Sequence, residues 1–106
     1  MTPTSFRPDV LAGKRILITG GGTGLGKELA RQFSAQGAAV HICGRREAVL
    51  QATVAELGAT AAHGGSIEYQ LCDVREAEQI EAMVERIWAG GPLTGLVNNA
   101  AANFIA

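Results

Sequence analysis

The stretch ITGGGTGLGKELA, residues 18–30, sets five glycines in seven positions between a short apolar run and a segment of helical character. Bare backbone at the head of a helix lets main-chain N–H groups reach a bulky anion, because no Cβ stands in the way. In the run before it, Arg15 to Thr19, ILIT is a short stretch of β-branched and aliphatic residues, the pattern of a strand in a sheet covered on both faces. After it, Leu25, Leu29 and Phe33 recur every four residues and predict one face of a helix that Gly37 ends. Strand, glycine turn and helix in that order give a glycine string its meaning.

The alternation continues. AAVHIC (38–43) predicts a second strand, followed by a helix with Val49 or Leu50, Val54 and Leu57 on one face and Gly58 as its stop. IEYQLC (67–72) predicts a third strand. Ile80, Met83, Val84, Ile87 and Trp88 outline a third helix that stops at AGGP, with Met83 and Trp88 expected in the core, and LTGLVNN predicts a fourth strand. A regular β-α-β-α-β-α-β order implies the α/β class, a Rossmann-like doubly wound parallel sheet represented by its first half. With 106 residues the chain holds one domain. Pro3, Pro8 and Gly13 predict a surface arm over residues 1–13, which leaves 14–106 as the nucleotide-binding domain, incomplete on its C-terminal side.

Nine basic against ten acidic residues give a net charge of -1, so no overall field favours nucleic acid or an anionic membrane surface, and any anion site must be local. Cys43 and Cys72 are the only cysteines, each in a strand-like run; they predict buried thiols in a reducing cytoplasm rather than a disulfide framework or a metal site. His41 and His63 lie in no metal-ligand grouping. No run approaches the ~18 apolar residues of a membrane span.

Two nucleotide motifs compete for the turn. The G-x-G-x-x-G spacing fails from Gly20 and from Gly22, because Leu25 and Lys27 fall where the third glycine belongs. The P-loop spacing is met by Gly21, Gly26 and Lys27, but Glu28 occupies the place of the magnesium-binding hydroxyl. Thr19-Gly20-x-x-x-Gly24-x-Gly26 resembles instead the T-G-x-x-x-G-x-G signature of the short-chain dehydrogenase/reductase family. Asp73-Val74 after the third strand and Asn98-Asn99-Ala100 after the fourth are similar to two further marks of that family.

The resemblance implies a nicotinamide dinucleotide cofactor. It puts the backbone of Gly20, Gly21, Gly22 and Thr23, with Leu25, along the pyrophosphate and ribose, and has Gly24 and Gly26 permit close approach and packing. It sets Asp73 against the adenine amino group, Val74 against the ring, and Asn99, with Ala100 beside it, near the ribose. The residues also admit structural roles: Asp73 opens D-V-R-E, an N-cap box for the third helix closed by Glu76, and Asn98 and Asn99 can tie neighbouring strands. At the end of the second strand Gly44 stands where an acid would select NAD, and Arg45 and Arg46 follow, which points to the 2'-phosphate of NADP(H). The alternative is that the arginines are solvated helix-start residues with Glu47 as a charge partner.

Enzymes of the family transfer hydride with a Ser and a Tyr-x-x-x-Lys set, which this sequence does not contain: Tyr69 is followed four residues on by Asp73, Lys14 and Lys27 precede it, and Ser5, Ser34 and Ser66 lie in an arm, a helix and a loop. No catalytic residue is therefore assigned. The chain is expected to be the coenzyme-binding half of an NADP-dependent oxidoreductase, a homo-oligomer in its full-length form. GGGTGLGK with NNAAANF is similar to the branch that contains 2,4-dienoyl-CoA reductases, which implies an acyl-CoA substrate near Arg75 and Phe104, although Ala102 departs from the glycine of that branch. Two other classes stand beside this one: a non-catalytic NADP(H)-binding module and a P-loop-like phosphohydrolase.

Overall fold

The structure is a computed structural model and describes residues 8–22 and 24–99. Four strands, β1 (Arg15–Thr19), β2 (Ala39–Gly44), β3 (Ser66–Leu71) and β4 (Gly95–Asn98), alternate with three helices, α1 (Gly24–Ala35), α2 (Glu47–Gly58) and α3 (Ala77–Ala89). All pairings are parallel and the order across the sheet is β3-β2-β1-β4. The chain therefore steps outward from β1 to β3 and then returns to β1's other side. The register sets Ile18 opposite Ile42 and Val97, and Ile42 opposite Tyr69.

Alternate residues of each strand feed two cores. On one face Ile16, Ile18, Val40, Ile42 and Ile67 pack with Ala30 of α1 and with Leu50 and Leu57 of α2. On the other, Leu17, Cys43 and Cys72 meet Met83 and Ile87 of α3. The described part of the N-terminal segment is tied to the first face: the Leu11 N–H donates to the Gln36 carbonyl at 3.0 Å and its side chain packs against that core.

Three expectations need correction. Leu25 is 65% exposed, so α1 does not use it to pack; the fully covered positions are Gly26, Ala30 and Ser34, four residues apart, flanked by Leu29 and Phe33. Small residues there bring the helix close to the sheet, and the Ser34 hydroxyl is satisfied by the Ala30 carbonyl at 2.8 Å. Trp88 is 53% exposed, because Met83 and Ile87 already occupy the seam with the sheet and position 88 lies about 100° further round the helix. Asp73 does not cap α3, which starts at Ala77 behind Glu76 with no side-chain cap. Its Oδ1 accepts the Arg75 N–H at 3.0 Å, closing a turn one step earlier, while its own N–H donates to Gln79 Oε1 at 2.8 Å. Gln79, not Glu76, supplies the reach back.

Candidate functional site

The carboxyl ends of β1, β2 and β3 open on the same side of the sheet, where α/β sheets present ligand crevices. β1 leaves the sheet through Gly20 (φ 70°), whose N–H adds one more rung to β2 by donating to the Cys43 carbonyl at 3.2 Å. Each glycine that follows has its own reason. A Cβ on Gly21 would collide with the Ile42 side chain, and one on Gly22 would lie 3.1 Å from Val49 Cγ1. Gly24 has open space around it but holds φ 60°, a conformation that disfavours any side chain. At Gly26 a Cβ would stand 2.5 Å from the Gly20 carbonyl oxygen and 2.8 Å from Asn99 Nδ2. The turn folds back so tightly on the first turn of α1 that only glycine fits.

Two side chains from outside the turn hold it there, and a third bond ties the strands beside it. Asn99 Nδ2 donates to the Gly20 carbonyl at 3.2 Å, the Thr53 hydroxyl of α2 donates to the Gly22 carbonyl at 2.9 Å, and Thr19 Oγ1 donates to Asn98 Oδ1 at 3.1 Å across β1 and β4. The tying role foreseen for Asn98 and Asn99 is thus real, with Asn99 gripping the turn itself. No motif in the sequence singles out Thr53; its one signal is a hydroxyl on the apolar stripe between Leu50 and Leu57.

Two cavities adjoin the turn and share Gly20, Cys43, Gly44 and Arg45. One, of about 230 Å³, is walled by Asp73, Val74 and Arg75 after β3, with Cys43 and Cys72 in its lining. The other, of about 280 Å³, runs past Gly22 to Arg46, Val49 and Leu50 at the start of α2. Arg45 and Arg46 are exposed, and neither guanidinium is hydrogen-bonded or ion-paired among the described residues; Glu47, the partner considered for them, accepts instead from the Tyr69 hydroxyl at 2.9 Å. Leu25 and Asn99 line neither cavity. Thr23, Ala100 and Phe104 lie outside the described residues.

Charge in the cleft is uneven. Arg75 clamps Asp73 with Nε to Oδ1 at 3.0 Å and Nη2 to Oδ2 at 2.9 Å, and these hydrogen bonds, with the Arg75 backbone amide, hold the Asp73 carboxyl down to about 2. The carboxylate is an acceptor at any ordinary pH, and Arg75 is already engaged. Burial pushes the Cys43 thiol up to about 11, with Cys72 as a lesser cause, so it is a neutral wall rather than a nucleophile. Lys27, the residue on which a P-loop would depend, is paired with Glu56 of α2 at 2.8 Å, and Glu28 is held by Arg31 and Gln32. Tyr69 packs on the α1/α2 side with Gln51 also on its hydroxyl, at 3.3 Å.

Among the described residues no three potential metal ligands cluster, and no helix is long and apolar enough to cross a membrane. A family model of short chain dehydrogenases matches residues 14–105. The peroxisomal 2,4-dienoyl-CoA reductase of Arabidopsis thaliana is 42% identical over 102 residues, covering 95% of this chain and 33% of that protein. A probable 2,4-dienoyl-CoA reductase of Caenorhabditis elegans is 40% identical, covering 94% of this chain and 32% of that protein. Among solved structures, a citronellol catabolism dehydrogenase of Pseudomonas aeruginosa PAO1 superposes with a TM-score of 0.80 at 38% identity, over 88% of this chain and 38% of that one. The chain spans about a third of the length of the curated relatives it matches. With a parallel β3-β2-β1-β4 sheet and a glycine turn closed by Asn99 behind these matches, the chain belongs to the short chain dehydrogenase family.

Proposed function

We propose that this chain is the coenzyme-binding part of an NADP(H)-dependent oxidoreductase. The observation that carries the choice of coenzyme is the pair Arg45 and Arg46, neither in a salt bridge among the described residues although Arg45 is near enough to Asp73 to help lower its carboxyl, at the end of β2 where Gly44 stands in place of an acid. A 2'-phosphate beside them would gain charge-assisted, bidentate hydrogen bonds and meet no carboxylate on β2. The Gly20–Gly22 main chain and the head of α1, whose first turn carries no acidic side chain, suit the pyrophosphate. Gly24 and Gly26 keep that approach clear. The cavity between Gly44 and Val74 suits the adenine, with Asp73 as acceptor for its amino group. Thr23 and Leu25 complete the pyrophosphate and ribose contacts of this reading, and Asn99 with Ala100 stands near the ribose. Asn99 gives one amide N–H to the Gly20 carbonyl and keeps its carboxamide oxygen to offer. When bound, the nicotinamide gives or takes the hydride; the residues of this chain bind and orient it.

For the substrate, the reading is an enoyl- or dienoyl-CoA, supported by the names of two relatives and by GGGTGLGK and NNAAANF. Arg75 and Phe104 are assigned to its side of the coenzyme, Arg75 only if it can leave or share Asp73. Cytoplasmic residence forms no part of the proposal, because one relative is peroxisomal by name. Titration with NADPH and NADH tests the coenzyme: NADPH should bind at least tenfold tighter. Arg45→Ala should then weaken NADPH by about 10- to 100-fold and NADH by less than threefold. Equal losses for both would refute the 2'-phosphate contact. Coenzyme oxidation in the presence of a 2,4-dienoyl-CoA, against a keto substrate, tests the substrate class.

A further inference from the structure

Thr53 sits in the middle of α2 and is 2% exposed. A buried helical threonine ordinarily satisfies its hydroxyl on the carbonyl one turn back. This one reaches out of its helix, to the Gly22 carbonyl at 2.9 Å, 31 residues away. Val49 and Leu50 of the same helix lie against the same glycine, so α2 touches the turn at three positions on one face. The N-cap of that helix is Arg46, and Arg45 precedes it. From Arg46 to Thr53 is about 10 Å of rigid helix. A peptide unit is planar, so anchoring the Gly22 carbonyl also fixes the plane of the unit leaving Gly22.

We infer that Thr53 is a positioning residue that sets the glycine turn at a fixed distance and orientation from the arginine pair, so that two anionic groups of one dinucleotide are met together. The inference rests on the coenzyme reading above and deepens it: it names what aligns the two anion contacts. Without the hydroxyl each contact survives, but the second no longer forms at the high effective concentration that a pre-aligned pair allows.

The test compares a ligand that spans both contacts with one that reaches only the arginines. Thr53→Val keeps the shape and removes the hydroxyl. It should raise the Kd for NADPH about 5- to 10-fold, the worth of one hydrogen bond, and leave that for adenosine 2'-monophosphate within twofold. Thr53→Ser should restore NADPH binding to within twofold of the parent. Should Thr53→Val not fold, Thr53→Ala in its place carries the same expectation, and the Thr53→Ser comparison is unaffected. Parent-like NADPH binding by the hydroxyl-free variant, or equal loss for both ligands, would overturn the positioning role and leave the coenzyme reading intact. Failure of the parent protein to bind any nicotinamide dinucleotide would instead overturn the coenzyme reading.

Discussion

The two faces of the sheet are built differently. Towards α1 and α2 the strands present a closed aliphatic core, from Ile16 and Ile18 through Val40 and Ile42 to Ile67, sealed by Leu50 and Leu57. Towards α3 the same strands present Leu17 and Cys43 but also His41, 5% exposed, and Arg15, while Leu96 of β4 is 64% exposed. The polar groups there have structural work: Arg15 Nη2 donates to the Ile87 carbonyl at 2.7 Å, satisfying the end of α3, and Gly90 and Gly91 make room for its guanidinium. The glycine turn rests on the first face, over Ile42, Val49 and Leu50. The lesson is that the glycine turn is supported by the better-packed half of the molecule, while the other half contributes Cys43, Cys72 and Val74 to the wall of the adjoining cavity and keeps His41 and Arg15 away from the turn.

The contrast predicts a graded series of effects. Leu57→Ala, in the closed core, should cost about 2–5 kcal/mol of stability in chemical denaturation, the range for emptying a buried aliphatic site. A loss under 1 kcal/mol would mean that this face is not the tighter one. Gly26→Ala should cost about 1–3 kcal/mol, because the new methyl meets the Gly20 carbonyl and Asn99, and should also weaken dinucleotide binding measured by fluorescence titration. If stability falls but binding does not, the turn is a packing device only.

Acid should act on the other face. Burial holds the His41 imidazole below its ordinary value, Arg15 adding to the effect and Glu68, 3.5 Å away, opposing it. The unfolded chain therefore takes up a proton near pH 6.5 while the folded one resists. Stability is fully present above that pH and is lost as pH falls towards the folded value; His41→Gln should flatten denaturation midpoints measured between pH 7 and 5. A second acid-sensitive window lies lower. Asp73, held near 2 by Arg75, contributes above about pH 4 and loses its contribution as pH falls towards 2, so Asp73→Asn should remove that limb only. Leu96→Ala, on the exposed strand, should change stability by about 0.5 kcal/mol or less.

Much of this was legible before the structure. The continuous apolar runs that predicted β1 and β2 are strands buried over nearly their whole length, and the glycine turn begins and ends where its residues indicated. Boundaries moved by a residue or two: β3 stops at Leu71, leaving Cys72 to bond Gly44 from outside the strand. The misreadings have one origin. Leu25 and Trp88 are apolar at helical spacing and were expected to be covered, yet each helix already had its seam filled, by Gly26 and Ala30 in one case and Met83 and Ile87 in the other. Asp73 carried a cap-box signature that its neighbour Arg75 diverted. Periodicity ranks the positions that can be buried; it does not say which of them the opposing surface has room for.

The amino-acid sequence by itself determined the order of elements, their parallel pairing class and the place of the glycine turn, because these follow from short-range periodicity and from φ angles that only glycine takes easily. Tertiary structure alone decided what braces that turn. Thr53 is 31 residues from Gly22, and Asn99 is 79 from Gly20; no local pattern encodes such contacts, which exist only once parallel strands and a packed helix bring distant side chains to two carbonyl oxygens.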